Sequence, residues 1–145
     1  GFQLMTYYQE YDKIIVVGTG SKTGPVGTIS SENSEEVMAN ESATRKTANE
    51  VEITMMIEIC SFHEEMGDVQ LITMVPYDII DVKNAMTPEA LSCMPNLVNE
   101  TIKELENSGI SLQRKTSDEV SFDSIIKAYA NPKISDFVDM SKYVS

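Results

Sequence analysis

Val51-Glu52-Ile53-Thr54-Met55-Met56-Ile57-Glu58-Ile59-Cys60-Ser61-Phe62 is the stretch on which the fold turns. Its odd positions carry Val51, Ile53, Met55, Ile57 and Ile59, and Glu52, Thr54 and Glu58 fall on the even ones. Period-two alternation predicts a strand with one face in a core and the other half wet. A second run, Val69-Gln70-Leu71-Ile72-Thr73-Met74-Val75, is apolar on both faces and predicts an interior strand. His63-Glu64-Glu65-Met66-Gly67-Asp68 between them holds charges and turn formers, so the two runs are expected to close as an antiparallel 51–62/69–75 hairpin.

Working outward, Lys13-Ile14-Ile15-Val16-Val17 reads as a buried strand ended by Gly18-Thr19-Gly20. Residues 1–12 form a terminal arm or short helix, with Leu4, Tyr8 and Tyr11 at helical spacing. From Gly18 to Asn49 apolar residues thin out among Gly, Ser and Glu, which predicts a flexible excursion. Val26-Gly27-Thr28-Ile29 adds a short strand, and Glu35 to Ala48 is either an exposed helix or part of the loop.

Beyond Pro76, Thr87 is a good N-cap, Pro88 suits the first helical position and Glu89 complements the dipole. Leu91, Met94, Val98, Ile102 and Leu105 make one apolar face, Gly109 supplies a stop, and Pro95 is expected to kink or split the helix. Ile110-Ser111-Leu112-Gln113 reads as a further short strand. Phe122, Ile125, Ile126 and Tyr129 mark a second helix, and Ile134, Phe137 and Val138 a last one. The expected fold is a single α+β domain over residues 1–145. Its antiparallel sheet has about four strands, packed by two or three helices from the C-terminal half.

Charge narrows the function classes. The 145 residues hold 23 acidic against 11 basic side chains, a net −12. The basic residues are scattered, which argues against nucleic acid and against an anionic membrane surface. No apolar run approaches the ~20 residues that a membrane-spanning helix needs, and the first residues lack the pattern of a secretory signal. Two cysteines, Cys60 and Cys93, make no disulfide framework, so a cytoplasmic or other reducing compartment is the default.

Gly18-Thr19-Gly20-Ser21-Lys22-Thr23-Gly24 after an apolar strand has the look of a phosphate-binding turn. The spacing is G-x-G-x-x-x-G, however, and Pro25-Val26-Gly27-Thr28 stands where a helix should begin. Gly18, Gly20, Lys22 and Gly24 are therefore ligand-binding candidates only under an alternative reading, a small nucleotide-dependent enzyme using the Gly18–Gly27 loop. His63, the single histidine, stands beside Glu64 and Glu65, but one imidazole without a second histidine or cysteine at ligand spacing predicts a solvated turn rather than a metal site.

With no convergent catalytic set in the sequence, the leading expectation is a non-enzymatic protein–protein interaction module. Such a module would be a structural subunit of a larger assembly or an acidic chaperone-like binding protein. It would need no cofactor and would meet a protein partner or form a homo-oligomer. Phe2, Tyr7, Tyr8 and Tyr11 on the N-terminal arm are the candidate partner-binding residues.

Overall fold

A computed structural model of the chain describes residues 2–40, 48–62, 66–80, 86–115, 121 and 125. In chain order these form α1 (Phe2–Glu10), β1 (Lys13–Thr19), β2 (Ile29–Asn33), α2 (Ser34–Ala39), α3 (Ala48–Ser61), β3 (Asp68–Met74) and α4 (Pro88–Asn107). By internal contacts the chain divides into two units, residues 1–81 with 87–111 and residues 82–86 with 112–145. The sheet and all four helices belong to the first.

The α+β class holds in its coarse form, and the sheet is mixed. Its order is β1-β3-β2. β1 pairs parallel with β3, from Lys13 opposite Asp68 to Thr19 opposite Met74. β2 pairs antiparallel with β3, from Ile29 opposite Met74 to Asn33 opposite Gln70. The described residues hold three strands, not about four, and no 51–62/69–75 hairpin.

The correction comes from residues 51–61, which are helical throughout. Ile53, Met56, Ile57 and Cys60 are buried, at spacings of 3, 1 and 3, whereas Val51 and Met55 are 49% and 43% exposed. The apolar set thus satisfies a 3.6-residue period. In a run this rich in apolar residues the two periods overlap, and the apparent alternation was the weaker signal. The connection from β1 to β3 contains β2, α2 and α3, long enough for β3 to lie beside β1 in the parallel sense.

Other elements follow the local chemistry. Asn33 caps α2 through a reciprocal box: its side chain accepts from Glu36 N–H at 2.9 Å, and Glu36 accepts from Asn33 N–H at 2.9 Å. The expected flexible excursion of 18–49 therefore contains β2 and α2, and the short strand begins at Ile29 rather than spanning Val26–Ile29. α4 starts as its sequence predicts, with Thr87 as N-cap and Pro88 at the first position. It runs through Pro95 as one element of 20 residues instead of splitting. Gly109 ends it at φ +85°, and residues 110–113 form no strand. Of the two helices expected after residue 121, only Ile125 is described: it is helical, and its N–H donates to the Ser121 carbonyl at 3.2 Å; the rest lie outside the described residues.

Packing gives the sheet two covered faces. On one, Val69 and Leu71 meet Tyr8 of α1, Val37 of α2, and Ile53, Met56, Ile57 and Cys60 of α3. On the other, Ile72 and Met74 meet Ala90 and Leu97 of α4. β3 is buried on both sides because it is the central strand, as its two-sided apolar run predicts. Lys13 ties the start of the sheet to α4, with its ammonium 2.8 Å from Asp68 and 2.6 Å from Glu104. Hydrogen bonds to those two carboxylates push its pKa upward.

Candidate functional site at the C-terminal ends of the parallel strands

β1 and β2 flank β3, so the chain leaving β1 must cross the end of β3 to reach β2. Residues 20–28 make that crossing. Gly20 N–H donates to the Met74 carbonyl at 3.0 Å, Gly27 N–H to the Val75 carbonyl at 2.9 Å, and Val75 N–H to the Thr28 carbonyl at 2.9 Å. Gly20 lies directly on Thr73, where any Cβ would collide with the Thr73 side chain. Gly27, at φ +87°, likewise leaves no room for a Cβ beside Cys93. The glycines therefore let the loop hug the end of the sheet.

The loop is held by charge. Ser21 donates both its backbone N–H (2.8 Å) and its hydroxyl (3.2 Å) to Glu50 Oε1, in the first turn of α3. A carboxylate there also complements the positive end of the helix dipole. Lys22 Nζ reaches Glu32 Oε1 at 2.7 Å, and Asn40 Nδ2 donates to the same oxygen at 2.6 Å. Glu32, on β2 opposite Leu71, is 9% exposed, so its charge is held by two donors rather than by bulk water. Thr73 and Ser30 share a hydroxyl hydrogen bond of 2.8 Å across β3 and β2.

These groups bound two cavities. One of about 200 Å³ lies between β1 and α3, against Val16, Gly18, Glu50, Glu52, Ile53 and Thr73. Another, about 50 Å³, lies among Ser21, Lys22, Glu32, Asn40, Glu50 and Thr54. Glu50 forms part of both walls. A cleft outside the carboxyl ends of the strands, where the chain reverses across the sheet, is the usual binding position in open sheets with parallel strands.

The structure places the sequence candidates differently from one another. Gly18, Gly20, Lys22 and Gly24 do lie on or beside this loop. A phosphate cradle needs backbone N–H groups turned to a ligand, but those of Gly20, Ser21, Gly27 and Thr28 are already given to protein acceptors. Lys22 is committed to Glu32. At the N-terminus Phe2 opens α1. Tyr7 and Tyr11 are 51% and 54% exposed and stack at 6.0 Å. Tyr8 is buried in the core instead of being presented to a partner, and its hydroxyl has no hydrogen-bond partner among the described residues. Burial, and then the neighbouring Cys60, push its pKa up; burial does the same to the Cys60 thiol. His63, Glu64 and Glu65 lie outside the described residues. Among those described, no three His, Cys, Asp or Glu side chains converge as a metal site requires. No described helix is long and apolar enough to cross a membrane.

Sequence reasoning missed Glu32, Asn40 and Glu50. In sequence they are three polar residues spread over 19 positions; only the crossing over β3 brings them together. Reading 51–62 as a strand also hid the local signal, since Glu50 is recognisable as a first-turn acidic residue only once α3 is a helix.

Comparison with known proteins bears on this cleft. The family model HycI, hydrogenase maturation protease, matches residues 1–104. The hydrogenase-maturating endopeptidase HybD from Escherichia coli superimposes with a TM-score of 0.65 at 19% identity, over 75% of this chain and 67% of that one. A solution structure of an endopeptidase from Escherichia coli gives 0.63 at 18%, with the same two coverages. At such identities the structural likeness is one of fold. No match was found among curated proteins. The family match overturns the expectation of a non-enzymatic interaction module, and with it the structural and assembly-subunit roles and the nucleotide-dependent alternative. That expectation rested on finding no catalytic set along the sequence, and a site assembled from β1, β2 and α3 leaves no such linear trace.

Proposed function

Because the chain belongs to the hydrogenase maturation protease family, we propose that it is an endopeptidase acting on the precursor of a hydrogenase large subunit. The observation that carries this reading is the family match across residues 1–104, which spans every element of the sheet and all but the end of α4. The protein partner expected from the sequence then becomes the substrate. The cleft at the ends of β1 and β3 is where we place the scissile peptide.

Hydrolysis needs a base to take a proton from the attacking water and return it to the leaving amine as the C–N bond breaks. We assign this role to Glu50. Its carboxylate lines both cavities and is positioned by the α3 first turn and by Ser21. In the adjoining small cavity Lys22 and Asn40 hold the Glu32 carboxylate, so its charge is balanced close to Glu50.

The test is incubation of the chain with full-length large-subunit precursor, followed by intact-mass measurement. A product shortened by a single defined segment is expected. Glu50→Gln can still accept the Ser21 hydrogen bonds, so it should retain the melting temperature yet lose at least a hundredfold in rate. An unshortened precursor in the presence of folded chain refutes the endopeptidase reading. Full activity of Glu50→Gln refutes the assignment of the base.

A further inference from the structure

Resting on the endopeptidase reading, we infer that the open edge of β1 docks an extended segment of the protein substrate. The segment adds as a strand, with alternate side chains entering the groove between β1 and α3. Three observations converge on this.

The first is that β1 is an edge strand: the order β1-β3-β2 leaves one side of it unpaired among the described residues. Native edges are normally blunted by charge, proline or a bulge. Here the only charge in Lys13–Thr19 is Lys13, at the far end and tied to Asp68 and Glu104. Ile14 to Thr19 contains no charge and no proline. Among the described residues nothing defends this edge, which suits strand addition, in which main-chain hydrogen bonds give affinity and side-chain pockets give specificity.

The second is access. Val17 is 44% exposed, and Gly18 and Thr19 are exposed too. No atom lies within 4 Å of where a Cβ on Gly18 would stand, so the sheet face at that point is open toward the cavity. This end of β1 leads into the cavity of about 200 Å³ that holds Glu50. A strand added to β1 would run its chain into the proposed site of cleavage.

The third is the opposite wall. Glu52 reaches the cavity, Met55 follows it one turn on, Ile59 a turn later packs against the core, and Phe62 stands just beyond the end of α3. Met55 is 43% and Phe62 78% exposed, an apolar strip with Glu52 and Glu58 beside it. The chain as a whole carries −12. Complementarity therefore selects an extended segment that alternates apolar side chains with lysine or arginine. β2, the other edge, has five residues and leads directly into α2, so it offers less ladder.

The experiment is amide hydrogen exchange of the full chain, alone and with full-length large-subunit precursor, with cleavage of the same mixture followed by mass. Exchange across residues 13–19 is expected to slow at least tenfold on adding precursor. Val17→Lys and Met55→Lys place a charge on the edge and on the helical wall, both at exposed positions. Each should keep the wild-type melting temperature and weaken precursor binding at least tenfold. Unchanged exchange and undiminished binding by both variants, with cleavage proceeding, overturn the docking inference while the endopeptidase reading stands. Slowed exchange without cleavage supports docking and refutes the endopeptidase. Absence of both binding and cleavage refutes the two together. Protection of 13–19 already present in the free chain, or appearing with its concentration as a dimer forms, assigns the edge to the chain itself and overturns the inference.

Discussion

Replacing Tyr8 by Phe should stabilise the protein. Tyr8 is 1% exposed, on α1, packed against α3 and the sheet. Its ring contributes apolar burial that Phe reproduces. Its hydroxyl is buried with no hydrogen-bond partner among the described residues. An unsatisfied buried hydroxyl costs about 1–3 kcal/mol of desolvation. Removing the oxygen recovers most of that, less the packing lost around one missing atom, for a net gain of about 1–2 kcal/mol. For a chain of this length each kcal/mol moves the melting temperature by about 2–4 °C, so a rise of about 2–8 °C is expected by scanning calorimetry. Tyr8→Ala should fall by about 3–5 kcal/mol, since it also forfeits the ring. A Tyr8→Phe variant that melts below the wild type would mean that the hydroxyl has a partner. The account of α1 as a core element with one polar defect would then be wrong.

Ile57→Ala should cost about 2–5 kcal/mol, whereas Val51→Ala should change stability by less than about 0.5 kcal/mol; urea titration that finds equal losses would restore the strand, on which both residues share a face. Glu50→Ala releases both Ser21 hydrogen bonds and should lower stability by about 1–2 kcal/mol, read by the same titration. Gly20→Val should fail to fold or melt far lower, because its side chain has nowhere to go but into Thr73; a normal melt would show that the loop stands off the sheet. Stability should fall as pH rises above about 9. Cys60, Tyr8 and Lys13 all have folded pKa values raised above their ordinary 9.0, 10.0 and 10.5. Between the two values of each group the native state holds the extra proton, so its contribution is complete below the unfolded value and is lost on the way up. A Cys60→Val/Tyr8→Phe pair should flatten that alkaline limb, and an unchanged limb would assign it to other groups.

The sequence by itself determined the elements whose local signals agree. Ile14-Ile15-Val16-Val17 is β-branched and followed by Gly18 and Gly20, and it is a strand. Val69 to Met74 is apolar on both faces, and it is the central strand. Thr87-Pro88-Glu89 spells a helix start that the structure keeps, and four acidic or amide residues from Glu32 to Glu36 contain a capping box that sets α2. What tertiary structure alone decided was the identity of 51–61 and everything that follows from it. An apolar-rich run carries both periods, and only the burial of Ile53, Met56, Ile57 and Cys60 against Val69 and Leu71 selects the helix. That choice replaces a hairpin by a helical connection into β3, which lies between β1 and β2 while the 20–28 loop crosses its end. Glu32, Asn40 and Glu50 converge only because of that crossing. Local propensity acts over a few residues, whereas a site built across three strands and a helix depends on contacts tens of residues apart, which no short window of sequence contains.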